Sequence, residues 1–284
     1  MRTSSLAVPA GRVALSAVAG FGVAAAGSLT WGGLLVANLR TTPAVPWAAA
    51  VMAVVLWLLW NYLGGRWWPA RTSAARRGLL RARPVPARLF AGAVGAGLLA
   101  LAALAGLWIV LVRVTGAGGN PTLDAVAVYP AITVVAGILM GSLVSPLTEE
   151  AAFRGYSQTL LERRFPTVAA IALSSAFFAL WHGPTQGFGW SKLLFFFLVG
   201  VVFGTIAWLT GSVLPAIPVH IAGDLVFFTL IWPNDAARTV IWTHGADAWF
   251  WLHAAQTVGF AALAIAAFRW LARSAARPPV LRGG

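Results

Sequence analysis

Apolar stretches recur along the whole chain, each close to the roughly 20 residues that an α-helix needs to cross a bilayer's hydrocarbon core. Polar residues, prolines and glycines collect between them. The pattern predicts eight spans, near residues 13–36, 44–64, 89–112, 126–146, 166–183, 193–210, 213–232 and 248–270. The fold class that follows is all-α, a polytopic membrane bundle of about eight transmembrane helices forming a single integral membrane domain over 1–284. No internal repeat or second domain is visible. The connector over 65–88 carries Pro69, Pro84 and Pro86 among seven arginines and shows no clear helical face, so it reads as a solvated basic loop rather than a surface helix. Gly137-x-x-x-Gly141 and Gly200-x-x-x-Gly204 are small-residue pairs of the kind that lets two helices approach closely.

Composition agrees with the pattern, since 60% of residues are hydrophobic and only 10% are charged. The formal net charge of +13 raises the question of nucleic acid. Almost every arginine, however, lies in a connector or near a span end, where it meets anionic lipid and orients the chain. We therefore expect membrane lipid as a partner and no nucleic acid. With both termini in the cytoplasm, sixteen basic residues fall inside and Arg40, Arg113, Lys192 and Arg238 fall outside, the asymmetry the positive-inside rule requires. Arg2 and Arg12 ahead of the run from Val13 to Ala26 resemble a signal peptide, but the run continues to Val36 and reads as a first span. Trp31, Trp47, Trp67, Trp68, Trp232, Trp242 and Trp249 fall near predicted span ends, as an interfacial belt does. There is no cysteine, which excludes disulfides, thiolate metal sites and a cysteine nucleophile. The Arg/Ala/Gly-rich composition points to a bacterial cytoplasmic membrane.

Against this apolar background three short polar patterns stand out: Glu149-Glu150-x-x-x-Arg154, Phe178-x-x-x-His182 and His220-x-x-x-Asp224. An ionisable residue at the middle of a membrane helix costs about 2.5–3.5 kcal/mol on insertion scales, so such residues face a bundle interior and act there. The helix carrying the acidic pair is expected to begin around Ser145 to Pro146, with Ser145 or Thr148 as its cap and both glutamates favoured by the helix dipole. Glu150 and Arg154, four apart, share a face and form a pair. Glu149 points about 100 degrees away and is free for another task. His182 closes an apolar helix with Phe178 one turn before it. His220 and Asp224 are also one turn apart and can hold a metal, hold a water and a carbonyl, or simply satisfy one another.

In that order, the three patterns resemble those of the CPBP family, intramembrane proteases that include the type II CAAX prenyl endopeptidases and bacteriocin-processing, lysostaphin resistance-like proteins. The resemblance covers roughly 126–232, the core that carries the three motifs. It implies an intramembrane endopeptidase whose substrate is a peptide or a membrane protein. It also implies roles: Glu149 as general base acting on water with His182, His220 and Asp224 stabilising the oxyanion or completing the site, Glu150 and Arg154 supporting and orienting Glu149, and Phe178 belonging to the second motif. Where the CAAX endopeptidases typically carry Asn, this chain has Asp224, which when ionised only accepts hydrogen bonds. It must be protonated, orient His220, or bind a metal.

Two cofactor states stay open on that reading, none or zinc. Glu149, His182, His220 and Asp224 offer a nitrogen and oxygen ligand set for a metalloprotease. Binding by Glu149 would leave Glu150 as the base, although Glu150 is better placed to pair with Arg154, and this favours the metal-free mechanism. The H-E-x-x-H and G-x-S-x-G patterns of other membrane proteases are absent. A non-catalytic immunity or scaffold protein of the same fold is the alternative, followed by a proton-coupled transporter, for which the internal repeat is missing.

Overall fold

The computed structural model describes residues 10–67 and 69–275, which leaves the expectations for Arg2, Trp68, Arg277 and Arg282 outside the described residues. Twelve α-helices follow in order: α1 (Ala10–Thr41), α2 (Trp47–Leu63), α3 (Ser73–Leu79), α4 (Ala87–Thr115), α5 (Pro121–Val126), α6 (Ala131–Glu149), α7 (Gln158–Glu162), α8 (Thr167–Gln186), α9 (Trp190–Thr210), α10 (Ala216–Val226), α11 (Ile241–His244) and α12 (Ala248–Ser274). Among the described residues there is no strand. Among the described residues seven helical stretches are long and apolar enough to cross a membrane. The remaining predicted span, the second, is α2, a 17-residue apolar helix at the short end of what can span.

The fourth span differs most from expectation. Helix α6 does not begin at Ser145 but runs from Ala131, and it continues through a π-helical segment, Glu150–Ser157, into α7, giving one 32-residue stretch from Ala131 to Glu162. Pro146 sits inside it. A membrane helix tolerates that proline because neighbouring helices and local widening of the helix satisfy the backbone groups it frees. Ser145 and Thr148 therefore are not caps; the Thr148 hydroxyl donates to the Ser145 carbonyl at 2.9 Å.

The connector is not a solvated loop either. It forms a short 3₁₀ turn and α3, then inserts Leu80, which is 1% exposed, into the space left by Gly155, where an added Cβ would come within 3.1 Å of the Leu80 backbone. Arg81 pairs with Glu162, and the Arg81 and Arg83 carbonyls accept from the Val213 amide at 3.1 Å and the Ser212 hydroxyl at 2.7 Å. Glycine also sets the close approaches within the bundle. A Cβ on Gly200 would meet the Ser175 backbone of α8 at 2.8 Å, and one on Gly106 of α4 would meet the His253 carbonyl of α12 at 2.8 Å.

Hydrogen bonds tie the helix ends into two layers. At one end Thr133 donates to the Pro43 carbonyl, the Trp108 indole and the Gly119 amide both donate to Asp235, Lys192 reaches the Gly119 carbonyl, and Arg113 pairs with Asp247 at 2.8 Å. The Asp247 carboxyl, outside the spans, is held below its ordinary value chiefly by that arginine, then by the Phe250 amide it caps. At the other end lie the connector, the α7–α8 turn, the α9–α10 turn and the end of α12, with Arg88 over the Trp270 ring. Arg154 is buried in the bundle rather than at its inner surface, so among the described residues twelve basic residues lie toward the connector end, against four at the other.

Candidate active site

The three patterns, distant in sequence, meet inside the bundle. Helix α6 and its π-helical continuation supply Glu149, Glu150 and Arg154, α8 supplies Phe178 and His182, and α10 supplies His220 and Asp224. Glu150 and Arg154 keep their contact within the π-helical segment, with Arg154 Nη1 donating to Glu150 Oε1 at 3.0 Å. His220 Nδ1 donates to the same oxygen at 3.0 Å, and Arg154 Nη2 reaches the Gly200 carbonyl at 3.3 Å. The guanidinium also stands 4.2 Å from the Phe178 ring centroid and 5.1 Å from that of Phe203, so this fully buried cation has charge, hydrogen-bond and π partners.

Glu149 faces elsewhere. Its Oε1 accepts a 2.7 Å hydrogen bond from Ser145, one turn earlier on the same helix face. Its Oε2 is buried, has no hydrogen-bond partner, and lies 3.7 Å from His220 Nε2 and 3.9 Å from His182 Nε2. His220 Nε2 is in turn 3.6 Å from Asp224 Oδ1. Each imidazole is fixed by its other nitrogen and by an aromatic face. His182 Nδ1 donates to the Phe178 carbonyl at 2.9 Å and its ring stacks on Phe196 at 4.0 Å, while His220 stacks on Phe203 at 4.6 Å. With both Nδ1 atoms committed as donors, both Nε2 atoms point at the Glu149 carboxylate with their lone pairs in the neutral rings.

These groups border a cavity of about 390 Å³. Glu149, His182, His220 and Asp224 line it, and Glu150 and Arg154 do not. The remaining wall is mainly apolar, with Trp31 and Leu35 of α1, Gly137 and Ile138 of α6, Phe196 of α9 and Phe227 beyond α10. Such a chamber suits a largely apolar ligand held by a few polar groups.

Sequence reading missed three contributors. Ser145 was assigned to capping, although its i,i+4 relation to Glu149 was available. Phe196 and Phe203, seven residues and about two turns apart on one face of α9, were hidden among an apolar helix's many aromatic residues. The zinc set is not supported. Among the described residues no group of three or more His, Asp or Glu side chains is arranged to hold a metal ion, and His220 Nδ1 is already committed to Glu150.

Residues 131–226 match the family model described as type II CAAX prenyl endopeptidase Rce1-like, a stretch that begins at the first residue of α6 and ends at the last residue of α10. No curated protein and no solved structure matches the chain. The matched stretch contains all three polar patterns and every residue that meets around Glu149, so over these residues this multi-pass membrane protein is similar to the type II CAAX prenyl endopeptidases.

Proposed function

We propose that the protein hydrolyses a membrane-proximal peptide bond with a water activated by Glu149. The observation that carries this reading is the Glu149 carboxylate, with one oxygen anchored by Ser145 and the other buried, unpartnered and facing two imidazole nitrogens on a cavity wall. A water between Glu149 Oε2 and His182 Nε2 can donate one hydrogen to each, which aims its oxygen at a substrate carbonyl.

The sequence of bonds follows. Water oxygen attacks the carbonyl carbon while its proton passes to Glu149. The resulting oxyanion requires a donor, and neutral His220 presents only a lone pair at Nε2, so the O–H of Asp224 in its protonated form supplies it. This gives the acid at position 224 a task that an amide would perform without an added proton. Collapse of the intermediate breaks the C–N bond as Glu149 returns its proton to the leaving amine, which yields a carboxylic acid and a free amine. Glu150 and Arg154 hold His220 from behind without touching substrate.

The test is mass-spectrometric mapping of new peptide termini in native cells, wild type against Glu149→Gln at matched protein levels. Termini that require Glu149 are the expected result. Identical termini, with a phenotype kept by the variant and lost on deletion, would move the assignment to a non-catalytic membrane protein of the same fold.

A further inference from the structure

The two ends of the bundle treat the cavity differently. At the connector end the chain is closed beneath the site. Gly155, six residues and about 9 Å along the helix from Glu149, is covered by buried Leu80, and the Arg81 and Arg83 carbonyls are sealed onto Val213 and Ser212 at the start of α10. No described residue of the connector, of the α7–α8 turn or of the α9–α10 turn lines the cavity. At the opposite end the lining continues through Leu39, Leu123, Val126, Thr185, Gln186 and Trp232, all at or near helix ends on the side of the bundle that carries Asp235 and Arg113. His182 itself is only four residues, about 6 Å, from the end of α8, and Thr185 in the last turn is exposed.

That mouth sits at the end with four basic residues, Arg40, Arg113, Lys192 and Arg238, accompanied by Asp124, Asp235 and Asp247. The arginine-rich end is the closed one. Positive charge in short connectors marks the cytoplasmic face, so the chamber opens away from the cytoplasm.

Three residues of the wall add a second feature. Ser142 Oγ, Gln186 Oε1 and Trp232 Nε1 are buried and have no hydrogen-bond partner, although each residue lines the cavity. All three lie on the mouth side of Glu149 and together provide donors and an acceptor among apolar neighbours. An extended peptide, with a carbonyl and an amide at every residue, is the ligand that pairs with such a series.

We propose that the substrate is an exported peptide, or a segment of a membrane protein on the non-cytoplasmic side, entering between α1, α6 and α8 from the arginine-poor face with an apolar stretch leading. The identity of what enters rests on the peptidase reading, whereas the direction of entry does not. A tail modified in the cytoplasm is thereby excluded as the substrate unless it is first carried across.

The natural absence of cysteine makes the test direct. Thr185→Cys and Val126→Cys mark the mouth, and Ala74→Cys marks the exposed connector. Each is treated in intact cells with a membrane-impermeant maleimide, then again after permeabilisation. The expected pattern is labelling of the mouth positions in intact cells and of Ala74→Cys only after permeabilisation. The reverse pattern overturns the proposal, and so does a mouth that labels only when cells are opened. Because labelling needs no catalysis, it stands apart from the peptidase reading. In purified protein, cleavage of an apolar quenched-fluorescence peptide is expected to fall about ten-fold or more once the adduct narrows the cavity. Correct labelling with no Glu149-dependent cleavage of any cellular peptide would sink the peptidase reading and leave the direction of entry intact.

Discussion

Glu149 and Glu150 are adjacent in sequence yet belong to two different regions of the molecule. Around Glu150 the protein is closed: Arg154 and His220 both donate to Oε1, Phe178 and Phe203 cover the guanidinium, and neither Glu150 nor Arg154 lines the cavity. Around Glu149 it is open to a ligand, with a serine hydroxyl on one oxygen and two imidazole nitrogens at 3.7 and 3.9 Å from the other. Both carboxylates leave their Oε2 without a hydrogen bond, so unpaired oxygens alone do not separate them. The separation comes from a compensating cation on one side and a chamber on the other. A turn of about 100 degrees on one helix places charge compensation and reactivity in neighbouring residues, and His220 touches both through its two nitrogens.

Breaking the open side gives the largest effect. Glu149→Gln keeps the size and the Ser145 neighbourhood but removes the base, and catalysis is expected to fall about 10³-fold. Thermal unfolding in detergent should be little changed, because no cation depends on Glu149 as Arg154 depends on Glu150. A variant that turns over normally when purified would remove Glu149 from the mechanism.

Breaking the closed side gives the opposite signature. Arg154→Met leaves Glu150 buried beside His220 without its cation, a loss of about 3–5 kcal/mol for one partner of a buried pair. The expected readout is a strongly lowered unfolding midpoint, with activity lost because His220 loses its fixed partner geometry. An Arg154→Met protein as stable as wild type would show that the pair is not holding this region together.

Much of this contrast was legible in the sequence, and the parts that were not have identifiable causes. Spans could be read because hydrocarbon thickness fixes their length, and the Glu150–Arg154 contact because four residues make about one turn. The start of α6 was misplaced because Pro146 reads as a helix start in water, whereas in the bundle it sits mid-helix before the π-helical segment. Burial of Leu80 depends on the missing side chain of Gly155, far along the chain, and no local pattern announces that contact. The partners Phe196 and Phe203 were hidden for a related reason: on an apolar helix the residue type says only that it is buried, and the ring it stacks on comes from another helix. The meeting of the three patterns around Glu149 followed only from their order and the resemblance, and no spacing within one helix could have supplied it.

A milder change sharpens the boundary between the two carboxylates. Ser145→Ala removes the one hydrogen bond that the Glu149 side chain makes among the described residues while leaving Glu150, Arg154 and both histidines in place. A hydrogen bond to a charged group is worth about 1.5–3 kcal/mol, so kcat is expected to drop about ten-fold, the lower part of that range expressed as rate. Ser145→Thr restores the hydroxyl and should recover most of the activity. Equal loss in both variants would mean that packing, rather than the hydrogen bond, matters at this position.

The smallest effect comes from an ion pair outside the membrane, which shows what the buried pair would be worth if water could reach it. Arg113 and Asp247 also meet at 2.8 Å, but the Asp247 side chain is 52% exposed. Its pKa is depressed, first by the Arg113 hydrogen bond and then by the Phe250 amide. A group depressed on folding stabilises the folded state above its unfolded pKa, about 3.9 for Asp, and that contribution is lost as pH falls through the lower folded value. Wild type and Asp247→Asn should therefore differ in unfolding midpoint at pH 6, converge as the pH drops below about 4, and differ less in high salt, since exposed charges are screened. If the difference persists at acid pH or is unmoved by salt, Asp247 acts as a neutral helix cap, and its pairing with Arg113 contributes nothing to compare with Glu150 and Arg154.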